Sequence, residues 1–334
     1  MKAAQLTRYA KDYKLELRNV DMPRPNHSQV LVKVKEAAVN PLDSLIGTGS
    51  LRLIQNFKLP QTMGNELTGE IVEVGKDVKN FSVNDKVYMR LPISDIGAFA
   101  EYVAVDADAV ALLPSTLDFK TGAAAALTGL TAYQALHEIL KAHSGQTLFI
   151  PGGSGSFGQM AIPLAKQMGL SVIVSGGSEA RKRTLNIGAN RYLDYKTENY
   201  WEQLSDVDLV IDTLGQAELT HELSILKRGG QLLSLRMGPN GSFAEAQQMP
   251  FWKKFLFKVN GQKMDHLAKK YGVTYHFIFV RSDGRQLQQL SALIDQNIIV
   301  PAVDSTTFTL EQVNEAQAYL QNGHPKGKVL IHFN

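Results

Sequence analysis

A glycine-rich turn at residues 153–158, Gly-Ser-Gly-Ser-Phe-Gly, has the clearest potential for chemistry in this sequence. The apolar run Thr147–Ile150 precedes it, and the pattern that follows predicts a helix from Gln159 to Met168. Strand, glycine turn and helix follow one another in this order in a dinucleotide-binding βαβ unit. The turn therefore predicts a site for the pyrophosphate of a dinucleotide.

Each glycine of this turn has its own expected task. Gly153 permits a tight turn, Gly155 lets a pyrophosphate approach the backbone, and Gly158 lets the helix and strand pack closely. Ser156 and Phe157 lie between them, where the free N–H groups and positive dipole end of the helix attract an anion. We predict that all five residues bind the cofactor.

The elements that follow favour this interpretation. Strand-like runs at 171–175, 191–194, 207–212 and 231–235 alternate with helical patterns at 179–186, 200–204 and 217–226. Such alternation is typical of a parallel sheet covered on both faces. No Lys-Ser or Lys-Thr follows the glycines, which disfavours a nucleotide-triphosphate P-loop. The sequence predicts an α/β fold with a Rossmann-type doubly wound parallel sheet.

Composition bounds the remaining possibilities. The chain has 334 residues, of which 44% are hydrophobic and 20% charged, so two soluble domains are expected. Its net charge of +3 is too small to imply a nucleic-acid partner or stable membrane association. The charged N-terminal residues do not resemble a secretory signal, and a cytoplasmic protein is expected.

The chain contains no cysteine, which excludes disulfides, thiolate nucleophiles and cysteine-ligated zinc. Its eight histidines are scattered without ligand spacing. We therefore expect no metal site.

The first hundred residues differ from the middle of the chain. Short strand-like runs at 29–35, 70–75, 85–89 and 100–105 are separated by glycines and polar turns, which suggests an all-β barrel or sandwich. A helix from Gly122 to about Lys141 marks the crossover. After a strand at 274–280, a helix at 285–296 and a strand at 328–333 return to the first domain. We predict one domain from residues 1–121 and 284–334 and a second from residues 122–283.

The whole pattern resembles the medium-chain dehydrogenase/reductase superfamily. Besides the glycine turn, the motifs that carry the resemblance are Ala-Val-Asn-Pro-Leu-Asp at 38–43, Gly-Asn-Glu-Leu-Thr-Gly-Glu-Ile-Val at 64–72, Gly-Ala-Phe-Ala-Glu-Tyr-Val at 97–103, Leu-Thr-Gly-Leu-Thr-Ala-Tyr at 127–133 and Gly-Lys-Val-Leu at 327–330. Zinc alcohol dehydrogenases of the superfamily have histidine where this chain has Asn65, so the resemblance points to the zinc-free, quinone oxidoreductase-like branch. That branch implies a GroES-like catalytic domain, a Rossmann domain, NADPH and a homodimer.

The resemblance also implies roles for individual residues. Asn40 and Asp43 would lie beside the nicotinamide and the substrate, Asn40 contacting the cofactor as well. Thr131 and Lys328 would bind the cofactor, and Tyr195 would line the adenosine pocket. Tyr133 either lines the site or packs in its helix; Asp43, Tyr133 and water all stay open as the proton donor.

The residues after the second predicted strand bear on cofactor choice. Ser175 to Ser178 offer small hydroxyl and backbone donors, and Arg181, Lys182 and Arg183 follow. A 2′-phosphate favours such donors, so we predict NADPH, with Ser175, Ser178 and Arg181 as ligands. Lys182 and Arg183 are expected on a solvated face. Ser178 is predicted as an N-cap, which would place Glu179 structurally in the first helical turn.

Two further segments carry expectations. In the segment 251–270, Phe251, Phe255 and Val259 share a helical face, and six lysines accompany one acid. We favour an insertion that caps the substrate cleft over a membrane-surface or partner-binding element. The strand at 274–280 would be an apolar sheet edge, which predicts a homodimer through it.

The absence of zinc ligands selects the type of acceptor. An isolated ketone needs a Lewis acid to stabilise its developing alkoxide, whereas a quinone or enone delocalises the incoming charge itself. We predict an NADPH-dependent reductase of quinones or α,β-unsaturated carbonyl compounds acting on a small molecule. The alternative is a cofactor-binding protein with little turnover that associates with nucleic acid or membrane through residues 251–270.

Overall fold

The computed structural model describes residues 1–333, which divide into two compact units. Unit 1 contains residues 1–130 and 281–333, and unit 2 contains residues 131–280. The boundary between unit 1 and the start of unit 2 lies after residue 130, later than the predicted residue 121. Residues between 119 and 127 form hydrogen bonds with the strand Glu66–Val74 of unit 1. Thr68 Oγ1 donates to the Phe119 carbonyl at 2.8 Å, and the Leu127 N–H donates to Glu66 Oε1 at 2.6 Å.

The secondary structure comprises sixteen strands and eleven α-helices within residues 1–333. The strands are β1 (Lys2–Leu6), β2 (Glu16–Asn19), β3 (Gln29–Val39), β4 (Gln61–Thr62), β5 (Glu66–Val74), β6 (Lys86–Arg90), β7 (Tyr102–Asp106), β8 (Val110–Leu112), β9 (Thr147–Ile150), β10 (Ser171–Gly176), β11 (Arg191–Asp194), β12 (Val207–Asp212), β13 (Leu226–Ser234), β14 (Thr274–Phe277), β15 (Val303–Thr309) and β16 (Lys328–His332). The helices are α1 (Pro41–Gly47), α2 (Phe119–Ala123), α3 (Ala126–Tyr133), α4 (Ser156–Gln167), α5 (Arg181–Asn186), α6 (Tyr200–Gln203), α7 (Leu219–Ile225), α8 (Gly241–Ala246), α9 (Phe251–Tyr271), α10 (Gly284–Asp295) and α11 (Val313–Asn322).

Unit 1 contains two sheets. A three-stranded sheet has the order β2-β1-β4, and a seven-stranded sheet has the order β15-β16-β3-β5-β6-β8 with β7 also paired to β3. Strand β3 lies centrally and pairs antiparallel with β16, Val39 opposite Val329. The four short strands predicted in this part of the chain are confirmed, and so are the returning helix and strand near residues 285–333.

Unit 2 is built on a six-stranded sheet with the order β11-β10-β9-β12-β13-β14, in which every pairing is parallel. Phe149, Val210 and Leu232 are completely buried in its core. The chain runs outward from β9 in one direction and then returns to start β12 on the other side of it. The predicted doubly wound sheet is confirmed, and its strand order reverses between β9 and β12, where such folds bind ligands.

The edge strand β14 is shorter than the predicted span 274–280. Its last paired residue is Phe277, opposite Ser234, and β13 ends at Ser234. Beyond Phe277 the chain therefore lacks a neighbouring strand to pair with. The position of β14 at the sheet edge is confirmed; the homodimer through it stays a prediction.

The helix predicted from Gly122 to Lys141 is interrupted. It consists of α2, α3 and a π-helix at Gln134–Ile139. Asp118 caps the start of α2 by accepting from the Thr121 N–H at 2.8 Å, which places the start before Gly122. Within residues 1–333, no helix combines the length and apolar character needed to span a bilayer.

Candidate cofactor and catalytic sites

The glycine turn of unit 2 has the close contacts that its spacing predicts. A Cβ on Gly153 would lie 2.7 Å from Ile150 Cγ2, and one on Gly158 would lie 1.7 Å from the Gly153 carbonyl oxygen. A side chain is disfavoured at Gly153 by the branched Ile150 side chain and the Ile150 carbonyl, and at Gly158 by the backbone of Gly153. By contrast, a Cβ on Gly155 would meet nothing within 4 Å. The turn is closely packed beneath and open at its middle residue, as a phosphate cradle must be.

The turn leads directly into α4, which begins at Ser156. Its N-cap, Gly155, has no side chain to accept from the first N–H groups, and the first helical hydrogen bond runs from the Gln159 N–H to the Gly155 carbonyl at 3.2 Å. The N–H groups of Ser156, Phe157 and Gly158 are those that a helix leaves for an external acceptor. An anion placed here would also meet the positive end of the helix dipole.

Gly152, one residue before the predicted motif, takes part in the same turn. Its φ of +65° lies in the left-handed region, which favours glycine. Its N–H donates to Ser175 Oγ at 3.3 Å, and Ser175 is almost completely buried. Ser175, predicted as a phosphate ligand, thus holds the turn onto β10. The neighbouring glycine pair Gly152-Gly153 was the sequence signal for this contact.

The structure corrects the predicted cap after β10. Ser178 is not the N-cap: a 3₁₀ turn spans Ser178–Ala180, and the extended Gly177 precedes it as the cap. The turn starts one residue earlier than expected, because the Tyr192 hydroxyl fixes Gly177 by donating to its carbonyl at 2.6 Å. Glu179 lies in the first turn, as predicted. Its carboxylate folds back to within 2.6 Å of where a Gly177 Cβ would be.

The two candidate arginines contact different parts of unit 2. Arg181 Nη2 donates to the Tyr192 carbonyl at 3.0 Å, whereas Arg183 Nη2 donates to the Ser154 carbonyl in the glycine turn at 2.9 Å. Arg183 is exposed, as expected of a solvated face, and it also contacts the glycine turn. Both guanidinium groups lie near the carboxyl end of β10.

Tyr195 follows β11 directly. Its N–H donates to the Gly176 carbonyl at 3.3 Å, and its side chain is exposed. An exposed ring at this edge of the sheet is free to stack on an adenine. Its place in the adenosine pocket stays a prediction.

Unit 1 contains a buried polar cluster formed by Asn40, Asp43, Asn65, Glu66 and Lys328. Asn40 is extended, as expected before proline, and caps α1. Asp43 Oδ2 accepts from the Asn40 N–H and Oδ1 accepts from Asn65 Nδ2, each at 2.7 Å. Of the predicted site residues, Asn40, Asp43 and Lys328 are thus brought together.

Glu66 lies at the centre of this cluster and was not predicted. Lys328 Nζ is 2.9 Å from Glu66 Oε2, and both side chains are buried, with exposures of 4% and 0%. Asn40 Nδ2 donates to the same oxygen at 3.2 Å, and the Leu127 N–H donates to Oε1. A carboxylate next to Asn65 at the start of an apolar strand was the available signal.

Burial raises the pKa of Asp43 to about 7. The hydrogen bonds from Asn40 and Asn65 and the charge of Lys328 oppose this rise, while the charge of Glu66 adds to it. An acid with this pKa is partly protonated at neutral pH. Asp43 can therefore both hold and release a proton under physiological conditions.

Arg90 is a second buried group that sequence reasoning missed. It lies opposite Glu66 in the β5–β6 pairing, and burial lowers its pKa to about 10. Its Nη1 donates to the Leu91 carbonyl at 2.7 Å and to Ser282 Oγ at 3.2 Å. The sheet register thus places another cation beside Glu66.

Thr131 and Tyr133 lie on α3 at the start of unit 2. The Tyr133 ring packs against the His137 ring with a centroid distance of 4.4 Å; Tyr133 is partly buried and His137 is exposed. This contact agrees with the alternative in which Tyr133 packs in its helix. It does not exclude the alternative in which Tyr133 lines the site. The catalytic role of Tyr133 and the cofactor bond of Thr131 stay predictions.

A further buried pair, Asp212 and Ser234, orders the loops after β12 and β13. Asp212 Oδ1 accepts from the N–H groups of Leu214 and Gly215, each at 2.7 Å, and Oδ2 accepts from Ser234 Oγ at 2.5 Å. Ser234 Oγ accepts in turn from the Met237 N–H at 2.7 Å. These loops start at the carboxyl ends of strands next to the order reversal. The pair therefore holds the backbone of the two loops in place.

Neither unit presents an arrangement suited to a metal ion. Within residues 1–333, no group of three or more histidine, aspartate or glutamate side chains is placed to hold one. The cluster of unit 1 instead combines two amides, two carboxylates and an ammonium group.

Two family models match separate parts of the chain. One, described as an alcohol dehydrogenase GroES-like domain, matches residues 26–115. The other, described as a zinc-binding dehydrogenase, matches residues 187–331. The first identifies the strands of unit 1 as GroES-like, and the predicted fold class is confirmed in both parts.

Similar proteins are known over nearly the full length. A 2-methylene-furan-3-one reductase from Solanum lycopersicum is 30% identical, over 99% of this chain and 79% of its own. A mitochondrial NAD(P)H oxidoreductase from Dictyostelium discoideum is 27% identical, over 96% of this chain and 94% of its own. The structure of the quinone oxidoreductase from Coxiella burnetii superposes with a TM-score of 0.82 at 26% identity, covering 100% of this chain and 99% of that one.

Proposed function

Since the chain belongs to the medium-chain dehydrogenase/reductase superfamily, in its quinone oxidoreductase-like branch, and is an oxidoreductase, we propose that it transfers hydride from NADPH to quinones or α,β-unsaturated carbonyl compounds without zinc. The observation that carries the proposal is the polar cluster of unit 1. Asn65 stands there at the superfamily's histidine position and bonds Asp43, and no thiolate exists in the chain. The cluster offers hydrogen bonds and a titratable acid in place of a Lewis acid.

The acceptor class follows from this chemistry. A quinone or enone spreads the charge of an incoming hydride over a conjugated system, so hydrogen bonds suffice to stabilise it. The names of the tomato reductase and the Coxiella oxidoreductase describe acceptors of this kind. An isolated ketone would leave a localised alkoxide, and this chain has no cysteine to hold the zinc that stabilises such a charge in zinc alcohol dehydrogenases.

The residues of unit 2 fit a nicotinamide dinucleotide. The open space over Gly155 and the first N–H groups of α4, at Ser156 and Phe157, would hold its pyrophosphate. When bound, the cofactor supplies the hydride. The Asp212–Ser234 pair holds the neighbouring loops in place and so orients the ring.

NADPH is proposed over NADH because two arginines lie near the end of β10. Arg183 Nη2 donates to the Ser154 carbonyl of the glycine turn and Arg181 Nη2 donates to the Tyr192 carbonyl of β11, and the other N–H groups of either guanidinium would donate to a 2′-phosphate. The Glu179 carboxylate beside Gly177 is the opposing feature, since a carboxylate there would favour a ribose hydroxyl. The preference for NADPH over NADH therefore requires that the two guanidinium groups attract the 2′-phosphate more strongly than the Glu179 carboxylate repels it.

Asp43 is the proposed source of the proton that completes the reduction. It is the buried acid of the cluster, and its pKa of about 7 allows it to be protonated before the reaction and ionised after it. Asn40 and Asn65 position both carboxyl oxygens. Lys328 acts on Asp43 by its charge, which lowers the Asp43 pKa from the value that burial alone would give.

The decisive experiment measures NADPH oxidation against a quinone, a 2-alkenal, a cyclic enone and a saturated ketone. We expect turnover of the conjugated acceptors only, unchanged after treatment with a chelator. Loss of activity to the chelator and its restoration by zinc would refute the metal-free proposal. Absence of turnover with every acceptor would favour the alternative of a cofactor-binding protein.

Cofactor choice is tested by titrating NADPH and NADH against wild type, Arg181→Ala, Arg183→Ala and Glu179→Gln. Loss of a charge-assisted bond worth about 1.5–3 kcal/mol weakens NADPH binding by about 10- to 100-fold and leaves NADH unchanged. Glu179→Gln is the matched control, because it removes the opposing charge and should tighten NADPH binding. Equal affinities of wild type for both cofactors would contradict the choice of NADPH.

A further inference from the structure

We propose that the N-terminal half of α9 is a docking surface for an anionic membrane, to which the protein binds reversibly. The surface consists of an outer apolar stripe, defined as Phe251, Trp252, Phe255, Leu256 and Val259, and the lysines beside it. This proposal is independent of the reaction proposed above.

The outer apolar stripe faces away from the protein. Helix α9 buries Phe257, Gly261 and Ala268, with Met264, Leu267 and Tyr271 packed partly against the same core. Because successive residues are about 100° apart on a helix, the stripe lies on the opposite side. The exposed fractions are 84% for Phe251, 59% for Phe255, 55% for Trp252, 51% for Val259 and 37% for Leu256.

Helix α9 already packs on the core of unit 2 through its buried face. The exposure of the stripe is therefore not the result of a missing core contact. Phe257 packs edge-to-face on Phe243 of α8 at a centroid distance of 6.3 Å. Asn240 Nδ2 donates to Asp265 at 2.7 Å, and a Cβ on Gly261 would lie 2.5 Å from Asn240 Cβ. Five large apolar side chains in under three turns therefore remain in water, which marks an interaction site.

The charge next to the stripe selects the occupant. Lys254 and Lys258 lie on one side of it on the helical wheel, and Lys253 lies on the other. Asp265 is the only acid of α9, and Asn240 already bonds it. Aromatic and aliphatic side chains flanked by lysines are typical of elements that enter the headgroup region of anionic bilayers. Long lysine side chains can extend to lipid phosphates while the rings insert between the headgroups.

Two other occupants fit less well. A second copy of this chain, bound about a two-fold axis, would bring the lysines of one copy towards those of the other. A nucleic acid would meet apolar side chains at the most exposed positions, where phosphate contacts need cations or hydrogen-bond donors. An anionic lipid surface satisfies the stripe and the lysines together.

Co-sedimentation with vesicles tests the proposal. Vesicles of phosphatidylcholine alone are compared with vesicles of equal parts phosphatidylcholine and phosphatidylglycerol, at low and high salt. We expect binding to the anionic vesicles that weakens with salt. The stripe variant F251S/W252S/F255S and the lysine variant K253E/K254E/K258E should both lose it. At about 1 kcal/mol per lysine, the lysine variant should bind about 100-fold more weakly.

Matched controls separate these effects from general surface change. K11E/K58E/K76E makes the same change in net charge at exposed lysines elsewhere, and M22S/V83S/V300S removes three exposed apolar side chains elsewhere. Both controls should bind like wild type. All four variants should keep the thermal unfolding midpoint of wild type, since the stripe side chains contribute little to the core.

Tryptophan fluorescence gives an independent readout. The chain has two tryptophans; Trp201 stacks on His221 at 3.8 Å, whereas Trp252 belongs to the stripe. Anionic vesicles should shift the emission of wild type and W201F to the blue but not that of W252F. Absence of binding to anionic vesicles at low salt, or unchanged binding of the stripe variant, overturns the proposal. Conversion of a dimer to a monomer by F251S/W252S/F255S, without vesicle binding by wild type, would instead assign the stripe to a second copy.

Discussion

Replacement of Lys328 by methionine is expected to destabilise unit 1 strongly. Lys328 Nζ lies 2.9 Å from Glu66 Oε2, and both side chains are almost completely removed from water. Methionine fills a similar volume but removes the ammonium group that pairs with the buried Glu66 carboxylate, and Arg90, opposite Glu66 in the β5–β6 pairing, is then the remaining cation nearby. Asn40 Nδ2 and the Leu127 N–H still donate to that carboxylate, but neither carries a charge.

The size of the effect follows from this burial. Removal of one partner of a buried ion pair costs about 3–5 kcal/mol, because the remaining charge is desolvated without compensation. For a unit of about 180 residues, each kcal/mol lowers the thermal midpoint by about 2–4 °C. We therefore expect K328M to unfold at least about 6 °C below wild type. The measurement is made without cofactor, so that any contact of Lys328 with NADPH does not contribute.

A double variant isolates the charge effect. In E66Q/K328M both charges are absent, and the amide oxygen of the introduced glutamine can still accept from the Leu127 N–H. Its midpoint should lie above that of K328M, because the desolvated charge is gone. The control is K2M, which breaks the exposed Lys2–Glu311 pair and should unfold like wild type.

Differential scanning calorimetry with circular dichroism at one pH and salt concentration gives the midpoints. Equal midpoints for K328M and wild type would refute the reasoning, since the pair would then contribute nothing. A double variant no more stable than K328M would show that packing, and not the unpaired carboxylate, accounts for the loss.

Further outcomes are expected from other features of the molecule. Gly158→Ala should lower both the thermal midpoint and NADPH affinity because of the contact at 1.7 Å, whereas Gly155→Ala should lower only the affinity, as measured by calorimetric titration. The pKa of Asp43 is about 7 in the folded protein against about 3.9 when unfolded, so the folded state binds this proton more tightly. The contribution of Asp43 to the free energy of unfolding should therefore be largest at low pH, fall as the pH rises from about 4 to about 7 and then stay constant. Asp43→Asn should remove this fall when the free energy of unfolding in urea is measured as a function of pH. Asp212→Asn should raise the KM for NADPH by about tenfold, because an amide cannot accept all the bonds that hold the two loops, and an unchanged KM would contradict a positioning role. Light scattering at micromolar concentration should show a dimer paired through β14, and a monomer would contradict it.

The sequence predicts those parts of the structure that depend on local pattern. The glycine turn, the strands of both units and the order of elements follow from spacings within about thirty residues. The close contacts of Gly153 and Gly158 agree with the roles predicted for these glycines. The position of β14 at the sheet edge could likewise be predicted, because it is the last strand of the alternating series.

The sequence does not predict contacts between distant residues that are set by strand register and by the packing of elements in the folded protein. Glu66 meets Lys328 because β5 and β16 both flank β3, and no local pattern contains that information. Arg183 contacts Ser154 because the sheet places β9 beside β10, so the segments that follow these two strands are neighbours, although 29 residues separate the two side chains in sequence. For α9, periodicity identifies which residues share a face but not which face the protein covers.

The pairing of β3 with β16 also governs the order in which the protein can form during synthesis. Val39 faces Val329, so the central strand of unit 1 waits for about 290 further residues before this neighbour leaves the ribosome. All of unit 2 lies between them in the chain and can complete its sheet first. Unit 1, although most of it is synthesised first, is therefore the last of the two units to be completed. Until Lys328 emerges, Glu66 lacks the ammonium group with which it pairs in the folded protein, and the seven-stranded sheet of unit 1 stays incomplete on the β16 side of β3.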